Sequence, residues 1–336
     1  MKKRGFEVSE QEVEIREALR QAIDEEMTRD EGVFILGEEV AEYNGAYKVT
    51  KGLLDKWGAK RVIDTPITEA GFSGLAIGAA MAGLRPIVEF MSFNFSFVAF
   101  DQIVNNAFKM HYMSGGRFHV PIVFRGPNGA AAKVSCQHSH SVESLYGQIP
   151  GCKIVSVSNA YDAKGLLKTA IRDNNPVIFL ENELMYGIKE KIPKEEYLLE
   201  IGKAKVILPG EHVTLISHGR MIVFCLEAAK ALAIKGVKVE VIDLRTIKPL
   251  DIGTIANSVR KTNRAVLVEE GNEFAGICAE VCFEIQKHCF GFLDAPIERI
   301  CQKETPLPYS PVLEAESIPN TKRILKGIEK VLEGSI

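Results

Sequence analysis

RVIDTPITEAGFSGLAIGAAMAGLRPIVEF, residues 61–90, reads as strand, helix, strand. Apolar strand-like runs at RVIDT and RPIVEF flank a helical stretch opened by Glu69 and built otherwise almost entirely of Gly, Ala and bulky apolar residues. Strand and helix in alternation are the unit of a parallel α/β sheet. Gly71, Gly74, Gly78 and Ala82 recur at steps of three and four, so they share one nearly smooth face of the helix. Each glycine inside a helix costs roughly 1 kcal/mol relative to alanine. The stripe therefore predicts a helix held by close packing against another helix, with Glu69 at a protein seam. Two readings of Glu69 stand at this point. It is an exposed first-turn acid favoured by the helix dipole, or a carboxylate partly withdrawn from water that shares a proton with a nitrogen base.

The alternation continues on both sides. Ser9 with Glu12 predicts a capping box before a helix reaching Arg29, and VFILG follows as a buried strand. VPIVF and NPVIFLEN are further strands, with helical patterns at about 96–113, 143–146 and 161–172. GIKEKIPKEEYLLEIG, residues 187–202, breaks the pattern with the composition of an exposed connector. Alternation then restarts with VTLISHG, a helix at about 221–235, VKVEVIDL, a helix at about 251–260, and AVLVEEG. The expected organisation is an α/β domain over 1–190, a linker over 191–202 and a smaller α/β domain over 203–336.

A chain of 336 residues, 46% hydrophobic and 25% charged, suffices for two globular domains. A net charge of -3 argues against nucleic acid as a partner. The basic N-terminal residues lead into no apolar segment and no run approaches 18 apolar residues, so a soluble, cytoplasmic protein without membrane contact is expected. Seven cysteines without a regular framework read as reduced thiols. Cys278, Cys282, His288 and Cys289 fall in one helical pattern, where core packing is favoured over a zinc site. Gly-x-Gly, Walker-type and Gly-x-Ser-x-Gly motifs are all missing, which removes the common phosphate loops and the hydrolase elbow.

RGPNGAAAKVSCQHSHS, residues 125–141, follows a strand, where ligands gather in parallel sheets. His138 and His140 are candidates for proton transfer or anion binding, against the alternative that they bond the loop backbone. Cys136 as a thiol nucleophile is the weaker reading of the same loop. In TAIRDNNPV, residues 169–177, the closing carbonyls of a helix lack intrahelical partners. They form a plain cap or gather round a hard cation.

LGEEVAEYNGAYKVTKGL, the stretch from RVIDT to MSFNF, VPIVFRGPNG, AIRDNNPVIFLENELMYG, VIDLRTIKPLD and LDAPIERI occur here in fixed order. Together they resemble the beta subunits of pyruvate dehydrogenase, the decarboxylating first component of 2-oxo acid dehydrogenase complexes, from about Glu14 to the C-terminus. The resemblance implies a transketolase-like pyrimidine-binding domain, a parallel sheet with helices on both faces, followed by a smaller α/β transketolase C-terminal domain. It implies that Glu69 bonds N1′ of the aminopyrimidine ring of thiamine diphosphate and promotes proton removal from C2 of the thiazolium. It further implies that Phe95 lies beside the pyrimidine and that His138 assists substrate binding or acyl transfer. A structural potassium ion is implied on oxygens of Ile122, Ala170, Ile171, Asp173 and Asn175. Val98 departs from the glutamine that pyruvate-specific subunits often carry, while NELMYG follows them.

Enzymes of this kind anchor the diphosphate through magnesium on a Gly-Asp-Gly segment, and this chain has none. The resemblance therefore implies half a site, completed by an alpha subunit that binds most of the magnesium in an α2β2 heterotetramer. It implies oxidoreductase action on pyruvate with a lipoyl acceptor, the lipoyl-bearing dihydrolipoamide acetyltransferase docking on the C-terminal domain. Branched-chain 2-oxo acid or acetoin dehydrogenase is the neighbouring alternative. A non-catalytic scaffold conflicts with joint retention of Glu69, Phe95 and His138, and a self-sufficient transketolase conflicts with the missing anchor.

Overall fold

The computed structural model describes residues 9–333. In chain order the first part comprises β1 (Glu10–Glu14), α1 (Ile15–Arg29), β2 (Val33–Gly37), α2 (Leu53–Trp57), β3 (Val62–Asp64), α3 (Glu69–Met81), β4 (Arg85–Glu89), α4 (Phe108–Met113), β5 (Val123–Pro127), α5 (Glu143–Gly147), β6 (Lys153–Ser156), α6 (Ala160–Arg172), β7 (Val177–Glu181) and β8 (Lys189–Pro193). The second part comprises β9 (Lys205–Leu208), β10 (Val213–Ser217), α7 (Met221–Ala233), β11 (Val239–Asp243), β12 (Thr246–Lys248), α8 (Ile252–Thr262), β13 (Ala265–Asn272), α9 (Ile277–Cys289), β14 (Glu298–Gln302), α10 (Pro311–Ser317) and α11 (Thr321–Glu333).

A seven-stranded sheet runs β12-β6-β7-β5-β4-β2-β3, parallel except for the edge strand β12. A five-stranded sheet runs β14-β13-β10-β11-β9, parallel except for β9. Strands β2, β5, β7, β10 and β11 are buried throughout. That is the consequence of helices covering both faces of a parallel sheet, and it explains their apolar sequence. Among the described residues no helix is long and apolar enough to cross a membrane.

Several expectations are corrected. No Ser9–Glu12 capping box forms: residues 10–14 are a strand pairing antiparallel with β8, and the Ser9 hydroxyl donates to Glu195 at 2.8 Å. Helix α1 starts only at Ile15, with no side-chain cap. The connector accordingly contains β8. The pattern at 96–113 is not one α-helix but a 3₁₀ turn, Phe93–Phe97, a π-helical segment, Gln102–Ala107, and α4. The strand expected at VPIVF begins at Val123 and extends through Pro127. Among the described residues the glycine stripe of α3 is left largely uncovered. Gly71, Gly78 and Ala82 are exposed, and only Gly74 approaches another segment, the Gln102 side chain. The opposite face, with Phe72, Ala76, Ile77 and Ala80, is the buried one.

The two parts share a core. One apolar cluster joins Phe72, Phe90, Phe124 and Tyr146 of the first to Ile216, Leu267 and Val281 of the second. Strand β12, beyond the connector in sequence, completes the first sheet. At this seam Arg245 pairs with buried Asp162, while Ser158 and the Arg245 amide donate to Asp243. Burial above all, then Asp162, pushes the Asp243 carboxyl up to about 7. The folded protein thus keeps a proton that the unfolded chain releases near pH 4. Stability attributable to this group falls as pH rises from about 4 to about 7, by up to about 1.4 kcal/mol per pH unit. Asp243→Asn, in which Ser158 turns its hydroxyl to accept, is expected to flatten this slope and to be more stable than the parent at pH 8. Unfolding midpoints from pH 5 to 8 measure this, and equal slopes would refute it.

Candidate active site

In an open parallel sheet a crevice forms beyond the carboxyl ends of the strands where the strand order reverses. Here the chain passes from β2 outward to β3 and then back across to β4, so the reversal lies at β2. The approach there is close: a Cβ on Gly37 would lie 2.5 Å from the carbonyl oxygen of Glu89. Glu38 follows β2 directly and Glu69 opens α3, and they are only 8% and 6% exposed. One Glu38 carboxylate oxygen is buried without a hydrogen-bond partner. Burial, then the charge of Glu69, raises the Glu38 carboxyl above its ordinary value. Of the two readings of Glu69, the exposed first-turn acid is thereby excluded. Asp64 accepts the backbone N–H groups of Ala41 and Glu42 at 2.7 and 3.0 Å and so pins the turn that carries Glu38. Glu38 was not singled out from sequence. The available signal was an acidic doublet immediately beyond a wholly apolar strand.

The histidine loop lies over the same end of the sheet. Phe95 and His138 meet edge to face, ring centres 5.1 Å apart at 89°, and Phe97 and His140 meet at 5.3 Å. The His140 backbone N–H donates to the Asn94 side-chain oxygen at 2.8 Å, and its ring Nδ1 approaches that oxygen at 2.9 Å. The geometry assigns the proton to Nδ1. Burial lowers the His140 pKa, which favours the neutral ring. His140 is therefore fastened to the loop scaffold, while the half-buried ring of His138 rests against Phe95. Cys136 is an exposed free thiol.

Beneath the loop, Arg125 is 1% exposed and lies between Glu89 and Glu181. The Tyr186 hydroxyl donates to Glu181 at 2.7 Å, and Tyr47 donates to Glu183. Asn182 donates to the carbonyls of Asn128 and Ala130 at 2.9 and 3.2 Å, which fixes the first residues of the loop.

The residues expected to hold potassium converge where α6 meets β7. The Ile122 carbonyl accepts from Val177 at 2.9 Å and that of Ala170 accepts from Asp173 at 3.2 Å. Arg85, which sequence reasoning missed, donates to the Ile171 and Asp173 carbonyls at 3.1 and 3.0 Å. Asn175 donates to the Asp173 carboxylate through its backbone and side-chain nitrogens, and Lys153 pairs with the same group. Among the described residues no group of three or more His, Cys, Asp or Glu is placed to hold a metal, and Cys278 and Cys289 are buried within α9. That agrees with core packing for the cysteine-rich helix.

The "Transketolase, pyrimidine binding domain" family matches residues 11–189, and the "Transketolase, C-terminal domain" family matches residues 202–324. The Bos taurus protein "Pyruvate dehydrogenase E1 component subunit beta, mitochondrial" is 55% identical over 326 residues, 96% of this chain and 91% of that protein. The Rickettsia conorii "Pyruvate dehydrogenase E1 component subunit beta" is 54% identical over 97% of this chain and 100% of its own length. Among solved structures, a "Split gene transketolase, inactive beta4 tetramer" superposes with a TM-score of 0.80 over 96% of this chain and all of that one, at 20% identity. The likeness to that structure is one of fold.

Removing Arg125 would leave two buried carboxylates facing each other. Arg125→Met is expected to cost about 3–5 kcal/mol of stability, read by denaturant unfolding. A loss under about 1 kcal/mol would mean that the pair does not depend on the guanidinium.

Proposed function

Since this chain belongs to the beta subunits of the pyruvate dehydrogenase E1 component, we propose that its buried acidic pair is one half of a thiamine-diphosphate site whose other half lies on an alpha subunit. The observation that carries this reading is Glu38 beside Glu69 at the sheet's reversal point, with a carboxylate oxygen left unpartnered in the interior. A carboxylate oxygen buried there without a partner marks an interior that a polar ligand completes, and Glu69 beside it is the carboxylate proposed to meet that ligand's ring nitrogen. When bound, the cofactor supplies the nucleophilic carbon and electron sink needed for loss of carbon dioxide from pyruvate.

Glu69 holds and exchanges a proton at N1′ of the aminopyrimidine, and Glu38 keeps the surroundings of that carboxylate acidic and dry. Phe95 offers an apolar face to the ring. His138, set on the edge of Phe95, orients the substrate or assists transfer of the acetyl group to a lipoyl arm of dihydrolipoamide acetyltransferase. With no Gly-Asp-Gly segment in the chain, the diphosphate and its magnesium are assigned to the alpha subunit. The exposed side of α3, where Leu75 is 62% exposed beside bare glycines, supports a subunit contact there in an α2β2 assembly.

Potassium fits the backbone oxygens gathered round Asp173, each of which keeps a second lone pair beside its present bond. The seven free cysteines suit a reducing compartment, and we place the protein in the cytoplasm.

The test compares pyruvate decarboxylation by this chain, its alpha partner, the mixture, and a mixture carrying Glu69→Gln. Activity is expected only in the mixtures, with the Glu69→Gln mixture assembled but slower than the parent by about 10²–10⁴-fold. Full activity of the variant, or activity of this chain alone, would overturn the assignment. Faster turnover of 2-oxoisovalerate than of pyruvate would move the enzyme to branched-chain acids. Potassium is expected to raise the melting temperature of the assembly over that in an equal concentration of choline. An identical melting temperature in both salts would remove the ion from the account.

A further inference from the structure

We infer that Glu270, on β13 of the second part, is a positioning residue for His138: its carboxylate accepts the backbone N–H of Ala130 and ties the base of the histidine loop to the C-terminal sheet. This deepens the proposed function and rests on its placement of His138 in the site.

Three observations converge on the tie. Gly129 has φ +77°, and a Cβ there would lie 2.9 Å from a Glu270 oxygen, so the chain passes the carboxylate as closely as a backbone can. Ala130 is 1% exposed, its methyl group in the apolar cluster of the second part with Met221, Val268 and Leu307, although it belongs by sequence to the first. The Gly129 N–H donates to the His140 carbonyl at 2.9 Å, closing the loop on itself. Fixing residues 129 and 130 therefore fixes His140 and, two positions earlier, the ring of His138 against Phe95.

Glu270 is an expensive residue to keep here. It is buried, its nearest cation is Arg220 at 3.7 Å, and one guanidinium nitrogen of Arg220 has no hydrogen-bond partner. Burial above all pushes its carboxyl up to about 7, Arg220 and the Ala130 amide pull it down, and Glu143 of α5 and Glu314 of α10 push it up again. Neutral or charged, the group presents an oxygen to Ala130. The tie is one of hydrogen bonding and not of charge. Asn182 and Glu183 hold the loop from the first part, and Glu270 supplies the corresponding hold from the second. The C-terminal domain thus sets the geometry of the loop that carries His138.

The experiment is hydrogen exchange of the assembled enzyme, followed by mass spectrometry, on the parent and on Glu270→Gln, Glu270→Ala and Glu270→Asp. In Glu270→Ala the amides of residues 129–132 are expected to exchange about tenfold faster or more. The kcat for acetylation of a lipoyl domain should fall about tenfold or more, with thiamine diphosphate affinity unchanged. Glu270→Gln retains an acceptor and should restore both. Should Glu270→Ala fail to assemble, Glu270→Asp keeps the charge beside Arg220, withdraws the oxygen by one methylene, and should show the same local loosening. Parent-like exchange at 129–132 in both shortened variants would overturn the inference. So would a rise spread equally over β10 and β13, which marks general destabilisation, or a Glu270→Gln variant no better than Glu270→Ala. If the parent itself fails to decarboxylate pyruvate, the functional reading fails, while the exchange data still decide the tie.

Discussion

A guanidinium held between two carboxylates sets the floor on which the site stands. Arg125 joins Glu89 to Glu181, and these residues come from three adjacent parallel strands, β5, β4 and β7. Parallel strands present their carboxyl ends on the same side, so three loops of the site leave from this row, the Asn94 turn after β4, the histidine loop after β5, and Asn182 with Glu183 after β7, while Glu38 and Glu69 follow the neighbouring strands β2 and β3. Two buried acids against one base leave an excess negative charge. The Tyr186 hydroxyl meets part of it by donating to Glu181. The desolvation cost of such a cluster is repaid only when each oxygen has a partner, and that requirement locks the three strand ends in register.

The strands legible in the sequence are those whose surroundings leave no choice. Strands β2, β7, β10 and β11 are buried on both faces, so each run is predominantly apolar and stands out, with Glu181, Glu240 and Asp243 as the charged exceptions. Strand β12 has three residues and exists because β6 has a free edge for it, which is a tertiary fact with no local signature. Ser9 and Glu12 illustrate competition: the capping pattern is present, but pairing of Glu10–Glu14 with Lys189–Pro193 offers that stretch a full ladder and wins. At the site the same division holds. Glu69 was legible because a lone acid interrupts an apolar helix. Glu38, Arg85 and Glu270 were not, because each acts on residues 31, 86 and 140 positions away.

Helix α3 shows how assembly and chemistry become linked. Three glycines in thirteen residues weigh against helix formation by roughly 3 kcal/mol relative to alanine. Burial of Phe72, Ala76, Ile77 and Ala80 against the sheet offsets this. On its other side Leu75 is 62% exposed, and Ile67, just before the helix, is 84% exposed. Bare glycines beside exposed apolar side chains give a surface whose burial is favourable and whose backbone admits close approach. The first residue of this helix is Glu69, so any surface that covers the helix also fixes the carboxylate. On the proposed reading that surface belongs to the subunit carrying the diphosphate anchor. Subunit association and cofactor binding then stabilise the same conformation of α3, and by linkage each must strengthen the other. A half-site on each chain follows from that arrangement: the helix is costly to hold alone, and the partner that completes its packing also brings the missing ligands.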